Sequence, residues 1–116
     1  METKSKGSIG EILAERYLNK LGYKFVARNY FCKLGEIDLI YKDKDYYVFI
    51  EVKARLNDRF GQPSEAINQK KQQKIKRVAE FYLISNKIYD KNCRFDCIEV
   101  LGNEKDYKLE HYKNAF

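Results

Sequence analysis

Residues 35–53, GEIDLIYKDKDYYVFIEVK, restrict the fold of this chain more than any other segment. Two runs of strand-forming residues flank a short polar segment, which predicts a β-hairpin that turns at Lys44 and Asp45. The second run begins with Tyr-Tyr-Val-Phe-Ile, a composition typical of a strand that is covered on both faces. Such a strand requires a sheet with other elements packed against it.

Charged residues interrupt these two runs at Asp38, Glu51 and Lys53. A charge at the end of a buried strand is costly unless it is paired or binds a metal. Glu51 and Lys53 project from the same face because strand side chains alternate. With a two-residue turn, Asp38 falls directly opposite Glu51, and directly opposed Cβ atoms lie about 4.5–5.5 Å apart.

Two carboxylates at that distance repel each other unless a cation lies between them. Oxygen ligands without cysteine or histidine suit Mg²⁺ or Mn²⁺ better than zinc. Asp38 and Glu51 are therefore candidate metal ligands, and Lys53 is a candidate to orient an attacking water or to neutralise charge on a phosphate. The alternative is a structural ion pair between Lys53 and Asp38, with Glu51 at a solvent-facing strand end. The hairpin spacing favours the metal site.

Two further acids lie near this segment or at the start of the chain. Ser8 and Glu11 have the spacing of a capping box, so the residues alone predict that Glu11 holds the N-terminus of a first helix. Glu36 shares the face of Asp38 and is either a further ligand or a charge at the exposed start of the strand. The second interpretation is favoured.

The first helix is expected to run from an N-cap at Ser8 to a stop at Gly22. This leaves residues 1–7 as a flexible N-terminal tail and residues 8–116 as a single domain. No repeat or low-complexity segment suggests a second domain.

Helical and strand patterns alternate along the rest of the chain. A helical pattern covers 63–85 and can break near Asn68, which would cap a new helix. Its apolar stripe consists of six residues: Ile67, Ile75, Val78, Ala79, Tyr82 and Leu83. Strands are expected at 23–33, 35–41, 46–54, 93–102 and 107–112, with Tyr23, Phe25, Ala27 and Phe31 along one face of the first. The order α, β, β, β, α, β requires a helical crossover before the fourth strand. This predicts an α/β fold in which helices flank a mixed central sheet.

The composition is that of an ordinary globular protein, with 44% hydrophobic and 34% charged residues. The longest apolar run, at 46–50, is too short for a transmembrane helix, so no membrane partner is expected. The N-terminus lacks the apolar segment of a signal peptide, which predicts a cytoplasmic protein. The three cysteines, Cys32, Cys93 and Cys97, form no CxxC pair, which predicts free thiols. Because His111 is the single histidine, no zinc site is expected.

The net charge of +6 permits a polyanionic partner, and its distribution is one-sided. No acid occurs from Ala66 to Ala79, where Lys70, Lys74 and Arg77 share one helix face and Lys71 and Lys76 lie nearby. Arg55 and Arg59 would extend this basic surface. Such a surface can bind the phosphate backbone without reading sequence, although a solvated helix face is the alternative.

Six segments of the chain resemble a known family: GSIGEILAERYLNKLGYKFVARNY, GEIDLIYKD, VFIEVKAR, RFGQPSEAI, KKQQKI and HYKNAF. Together they resemble the YraN-like family of small bacterial proteins, from about Gly7 to Phe116. That family is similar to the PD-(D/E)xK nuclease superfamily and, within it, to archaeal Holliday junction resolvases. The resemblance implies a restriction-endonuclease-like core of αβββαβ order. It assigns Asp38, Glu51 and Lys53 to the metal and catalytic motif, and Glu11 to a catalytic glutamate of the first helix.

The resemblance therefore implies a Mg²⁺- or Mn²⁺-dependent DNA endonuclease that acts on branched or other structured DNA. Asp38, Glu51 and Glu11 would hold the metal, the carbonyl of Val52 is an additional candidate ligand, and Lys53 would assist the attacking water. The expected DNA-binding residues are basic: Arg55, Lys70, Lys71, Lys74 and Arg77. Cutting of two strands would favour a homodimer. The alternatives are a non-catalytic nucleic-acid-binding module and an adaptor in DNA repair or recombination.

Overall fold

The computed structural model describes residues 3–55, 67–103 and 105–116. Within them lie two helices and five strands: α1 (Thr3–Leu21), β1 (Lys24–Cys32), β2 (Gly35–Asp43), β3 (Tyr46–Arg55), α2 (Gln69–Ser85), β4 (Asn92–Gly102) and β5 (Tyr107–Tyr112). The predicted order and the α/β class are confirmed. This architecture is compatible with a restriction-endonuclease-like core.

The strands form one mixed sheet in the order β1-β2-β3-β4-β5. The β2–β3 hairpin turns at Lys44 and Asp45 as predicted, with Asp43 paired to Tyr46 and a left-handed φ of 58° at Lys44. Strands β3 and β4 are parallel and are joined through α2, whereas the other neighbouring pairs are antiparallel. The helical crossover is therefore confirmed.

Strand β3 is covered on both faces. Val48 and Ile50 pack in a cluster with Leu13 and Leu18 of α1, whereas Phe49 packs in a second cluster under α2. The second cluster contains the predicted apolar stripe of α2 and its approach: Ile67, Ile75, Val78, Ala79, Tyr82 and Leu83. Neither helix of the described chain is long and apolar enough to cross a membrane.

The start of α1 differs from the prediction. The helix begins at Thr3 rather than after Ser8, so Ser8 lies inside it and residues 3–7 are helical. No proline precedes Ser8, and lysine residues extend a helix readily. The interior glycine at position 7 costs only about 1 kcal/mol, which is too little to end the helix. The C-terminus is as predicted, because α1 ends at Leu21 and Gly22 has a φ of 90°.

Helix α2 begins where the sequence suggested. Asn68 is its N-cap, and the Asn68 Oδ1 accepts a hydrogen bond of 2.8 Å from the backbone N–H of Lys71. The part of the predicted helical pattern at 63–66 lies outside the described residues.

Strand β1 is less regular than predicted. Its register with β2 shifts between Phe25 and Ala27, and Asn29 has a left-handed φ of 53°. Phe25 consequently packs its ring on Tyr41, on the α1 side, whereas Ala27 belongs to the cluster under α2. The prediction that Phe25 and Ala27 share a face was wrong, because a bulge inserts a residue and reverses the alternation.

The three cysteines are free thiols, as expected. Cys32 and Cys93 pack against the cluster under α2, and Cys97 is buried on β4. Their role is therefore packing.

A buried polar network fixes the C-terminal strands. Asp96 on β4 is fully buried, and its carboxylate accepts hydrogen bonds from Arg94 and from the backbone N–H of Asn114. His111 Nε2 lies 2.7 Å from Asp96 Oδ2, and His111 Nδ1 lies 2.9 Å from the Tyr17 hydroxyl on α1. The single histidine thus connects α1 to β4 and β5.

We expect Asp96→Asn to lower the free energy of unfolding by about 2–4 kcal/mol, because Arg94 would lose its buried partner. Burial raises the pKa of Asp96, but hydrogen bonds from His111, Arg94 and Asn114 outweigh it and lower that pKa below 3.8. The charge therefore stabilises the fold near neutral pH, and its contribution is lost as the pH falls through the folded pKa. Urea unfolding of the wild type and of Asp96→Asn at pH 7 and pH 3 measures this contribution to stability. The exposed Asp90→Asn is the control, and equal losses in both variants would contradict the prediction.

A close contact between α1 and β3 occurs at Gly10. A Cβ added to Gly10 would lie 2.5 Å from the Cβ of Ala54. Gly10 is buried, and its neighbour Glu11 is half-buried. The missing side chain at position 10 lets α1 approach β3 and so places Glu11 against the sheet.

We expect Gly10→Ala to lower the free energy of unfolding by about 1–3 kcal/mol through overpacking. Adding Ala54→Gly removes the clashing methyl group, at an intrinsic strand cost of about 0.5–1 kcal/mol. The double variant should therefore be more stable than Gly10→Ala alone in urea unfolding. A Gly10→Ala variant as stable as the wild type would contradict this account of the helix–sheet contact.

Candidate functional site

The candidate site lies where β2 and β3 separate. Their antiparallel register runs from Asp43↔Tyr46 to Leu39↔Ile50. The next position on each strand, in the same register, is Asp38 on β2 and Glu51 on β3. There the Asp38 Oδ2 accepts a hydrogen bond of 2.8 Å from the backbone N–H of Val52. The Asp38 carboxylate thus takes the place of a backbone acceptor between the strands.

The side-chain alternation of β2 breaks at Asp38. Ile37 belongs to the cluster under α2 and Leu39 to the cluster under α1, although residues two apart in a regular strand share a face. On β1, Arg28 pairs with Leu39 and Tyr30 with Ile37, so the left-handed Asn29 lies opposite Asp38. Both strands are therefore irregular at the same level, and this irregularity positions the Asp38 side chain between the two layers.

Glu51 lies on the α2 side of the sheet. Its side chain is 12% exposed, and the Lys71 Nζ of α2 lies 3.3 Å from the Glu51 Oε2. Burial, followed by the charge of Asp38, raises the pKa of Glu51 to about 7, although the charge of Lys71 opposes both effects. A carboxylate held in this way binds either a proton or a cation near neutral pH.

The pKa of Asp38 is also raised. Burial is the largest cause and the charge of Glu36 adds to it, whereas the Val52 N–H and the charge of Lys71 lower it. Glu36 itself is exposed at the start of β2, as favoured from the sequence. Asp38 and Glu51 therefore form a pair of half-buried acids whose negative charges repel each other.

Glu11 approaches the same region from α1. Burial and then the charge of Asp38 raise its pKa to about 7. With its amide oriented to donate, Asn29 lies 3.3 Å from both carboxylate oxygens of Glu11 and lowers that pKa. The capping-box interpretation of Glu11 was wrong, because Ser8 lies inside the helix. Glu11 instead faces the sheet, with Asp38 as its largest source of charge repulsion.

Lys53 lies on β3, two residues beyond Glu51, and is half-buried. It is the register partner of Glu99 on β4, and its charge lowers the pKa of Cys97, which burial raises to about 11. Lys53 forms no ion pair with Asp38, so the structural pair considered as an alternative is not formed. The lysine lies beside β4, near Glu51.

The three acids do not form a compact metal cage. Within residues 3–55, 67–103 and 105–116, no group of three His, Cys, Asp or Glu side chains is placed to hold a metal ion. Mg²⁺ typically uses only one or two carboxylates and keeps several waters. The Asp38–Glu51 pair, with oxygen donors and an incompletely offset negative charge beside Lys71, fits that requirement. Val52 contributes its N–H to Asp38.

The predicted basic residues of α2 do not all face solvent in the same way. Lys70, Lys71, Lys74 and Arg77 are exposed, and the stem of Lys74 covers Gly35, where an added Cβ would lie 3.3 Å from the Lys74 Cε. Lys71 differs from the others because it pairs with Glu51. The other three form no ion pair with any residue that the structure describes, and we call this exposed surface the α2 basic face: Lys70, Lys74 and Arg77.

Arg55 and Lys76, two of the other predicted basic residues, have surroundings of a different kind. Arg55, at the end of β3, is half-buried, and its Nε is buried without a hydrogen-bond partner among the residues the structure describes. Lys76 instead lies over the Phe95 ring, 5.6 Å from its centroid. Arg59 lies outside the described residues.

The comparison with known proteins identifies the family. A model of the uncharacterised protein family UPF0102 matches residues 10–100. The chain belongs to this family. A UPF0102 protein of Alkaliphilus oremlandii is 52% identical over 115 residues, which cover 97% of this chain and 98% of that protein. UPF0102 proteins of Clostridium acetobutylicum and Caldanaerobacter subterraneus are each 47% identical and cover 97% of this chain, with 94% and 95% of their own lengths.

Two residues of the site were not recognised from the sequence. Lys71 was assigned to phosphate binding alone, and Asn29 was treated as part of a regular strand. The predicted cap at Asn68 could have indicated the position of Lys71, because an N-cap defines where a helix begins and therefore which residues form its first turn. Nothing in the local sequence of β1 indicates that Asn29 meets Glu11.

We expect Glu51→Gln to change how stability depends on pH. Because the pKa of Glu51 is raised from 4.5 to about 7, the folded state binds its proton more tightly than the unfolded chain does. Wild-type stability from this group is thus greatest below pH 4.5 and falls as the pH rises through 7. Relative to wild type, the variant should gain on the order of 1–3 kcal/mol between pH 4.5 and pH 8.

Urea unfolding of both proteins across this pH range measures the effect. Glu80→Gln is the matched control, because Glu80 is an exposed acid on α2. Parallel pH profiles for wild type and Glu51→Gln would contradict the raised pKa of Glu51.

Proposed function

We propose that this protein is a metal-dependent DNA endonuclease that hydrolyses phosphodiester bonds in branched or otherwise structured DNA. The observation that carries the proposal is the Asp38–Glu51 pair. Two half-buried carboxylates at the separation of β2 and β3 repel each other, and Glu11 adds a third acid with Asp38 as its neighbour. Acids whose pKa values are shifted by burial and by each other are typical of functional sites.

The residues divide into three roles. Asp38 and Glu51 would hold Mg²⁺ or Mn²⁺, with Glu11 and the carbonyl of Val52 as further candidates. The metal, when bound, would stabilise negative charge on the phosphate and supply an activated water. Lys53 would orient that water or neutralise developing charge, since it follows Glu51 on the same face of β3. Phe, Tyr and Cys side chains are not required for this chemistry.

The resemblance to the YraN-like family and to the PD-(D/E)xK nucleases supports the same assignment. The order αβββαβ, the acid of the first helix and the E-x-K segment at the end of β3 occur together in that superfamily. The likeness to archaeal Holliday junction resolvases favours a branched substrate. Cutting of two strands would require two copies of the chain.

The α2 basic face supports a nucleic-acid partner. Lys70, Lys74 and Arg77 are exposed and lie on the helix that also presents Lys71 to Glu51. Such a surface binds backbone phosphates without reading sequence. DNA bound along α2 would therefore lie beside the carboxylate pair.

A non-catalytic nucleic-acid-binding module, or an adaptor in DNA repair or recombination, is the second candidate. It is favoured by the lack of a three-ligand metal group among the described residues. The basic face would serve such a protein equally well. The two candidates differ in whether metal-dependent cleavage occurs.

Cleavage of end-labelled linear, nicked and four-way-junction DNA by the purified chain tests the proposal, with Mg²⁺, Mn²⁺ or EDTA. We expect metal-dependent cutting that Asp38→Asn and Glu51→Gln each reduce by about 100-fold or more, the range typical of a lost charge-stabilising group. The exposed Glu80→Gln serves as the control and should cut as the wild type does. Binding of every substrate without cutting would overturn the endonuclease proposal and favour the binding module.

A further inference from the structure

The contact between Lys71 and Glu51 gives Lys71 a position that the neighbouring basic residues lack. Its Nζ lies 3.3 Å from the Glu51 Oε2. Its charge also lowers the pKa values of both Glu51 and Asp38. One ammonium group therefore provides positive charge to both members of the carboxylate pair.

The backbone of Lys71 is anchored by a hydrogen bond, whereas its side chain is more than half exposed. The Asn68 side chain accepts the Lys71 N–H at 2.8 Å, which anchors this residue in the first turn of α2. The Lys71 side chain is 54% exposed, compared with 12% for Glu51. Leaving the ion pair therefore requires no movement of the helix and little loss of burial, so the ammonium group can exchange between Glu51 and another anion.

We propose that Lys71 is a built-in counter-cation of the Asp38–Glu51 pair, which a divalent metal displaces, and that the displaced ammonium group then binds a phosphate of the nucleic acid. The inference rests on the proposed function, since it assumes that Asp38 and Glu51 bind a metal. It separates Lys71 from the α2 basic face. Lys70, Lys74 and Arg77 would contact phosphates whether or not metal is bound, whereas Lys71 would do so only after the metal has taken its place.

The first test measures the affinity of the full chain for Mn²⁺ by calorimetry at low ionic strength, without DNA. A half-exposed ion pair is a weak competitor, so Lys71→Gln should raise the affinity by about 3- to 10-fold. Lys70→Gln is the matched control, because it removes the same charge one position earlier from a side chain without this contact. It should change the affinity by less than about two-fold. Lys71→Arg keeps the charge and should keep the wild-type affinity.

The outcomes separate the two proposals. Absence of Mn²⁺ binding in wild type, Lys71→Gln and Lys71→Arg alike would overturn the metal site and, with it, the proposed function. Mn²⁺ binding in which Lys71→Gln behaves as Lys70→Gln does would leave the metal site intact and overturn the role of Lys71. Circular dichroism of each variant verifies that it is folded.

The second test measures binding of a linear duplex by fluorescence anisotropy, in EDTA and in Ca²⁺, which prefers the same oxygen ligands as Mg²⁺. Lys71→Gln should bind as the wild type does in EDTA and about 3- to 10-fold more weakly in Ca²⁺, because only the metal releases Lys71. Lys70→Gln should weaken binding equally in both. Equal losses for Lys71→Gln in EDTA and Ca²⁺ would show an ordinary phosphate contact and overturn the inference.

Discussion

Strand β3 is the element on which the rest of the structure depends. Its alternate side chains enter both clusters, with Val48 and Ile50 under α1 and Phe49 under α2, so neither helix layer can form without it. It also forms the antiparallel hairpin with β2 and the parallel pair with β4. Burial on both faces leaves its C-terminal end as the place where charged side chains emerge. Glu51 therefore lies next to the part of β3 that is buried on both faces, and Asp38 lies beside it on β2.

Asp96 and the Asp38–Glu51 pair differ in how their negative charges are compensated. Asp96 is fully buried but is satisfied by Arg94, His111 and the Asn114 N–H, so its pKa is lowered despite burial. Asp38 and Glu51 have raised pKa values, because burial and mutual repulsion exceed the help from Val52 and Lys71. A network of the first kind stabilises the fold. A pair of the second kind stores unfavourable charge that a proton or a cation relieves.

Much of the site could be anticipated from residue spacing. The polar dipeptide at 44–45 fixes the hairpin register, and this register puts position 38 across from position 51. The apolar stripe of α2 and the Asn68 cap were also readable, because periodicity and capping are local properties. Only the family resemblance grouped Glu11 with Asp38, and in the structure Glu11 lies close enough for the charge of Asp38 to raise its pKa. Its local spacing to Ser8 indicated a helix cap instead. That prediction failed because no residue near Ser8 ends the helix there, and the helix continues to Thr3.

The sequence by itself determined the element order, the helical crossover and the strand positions of Asp38, Glu51 and Lys53, because all of these follow from hydrophobic periodicity and turn chemistry over short distances. The tertiary structure alone decided the rest. The bulge in β1, the left-handed Asn29 and the broken alternation at Asp38 arise from fitting two strands to two helix layers at once. The partners of His111 and Lys71 are set by helices and strands distant in the chain. Local pattern contains no information about such pairings, because packing selects them.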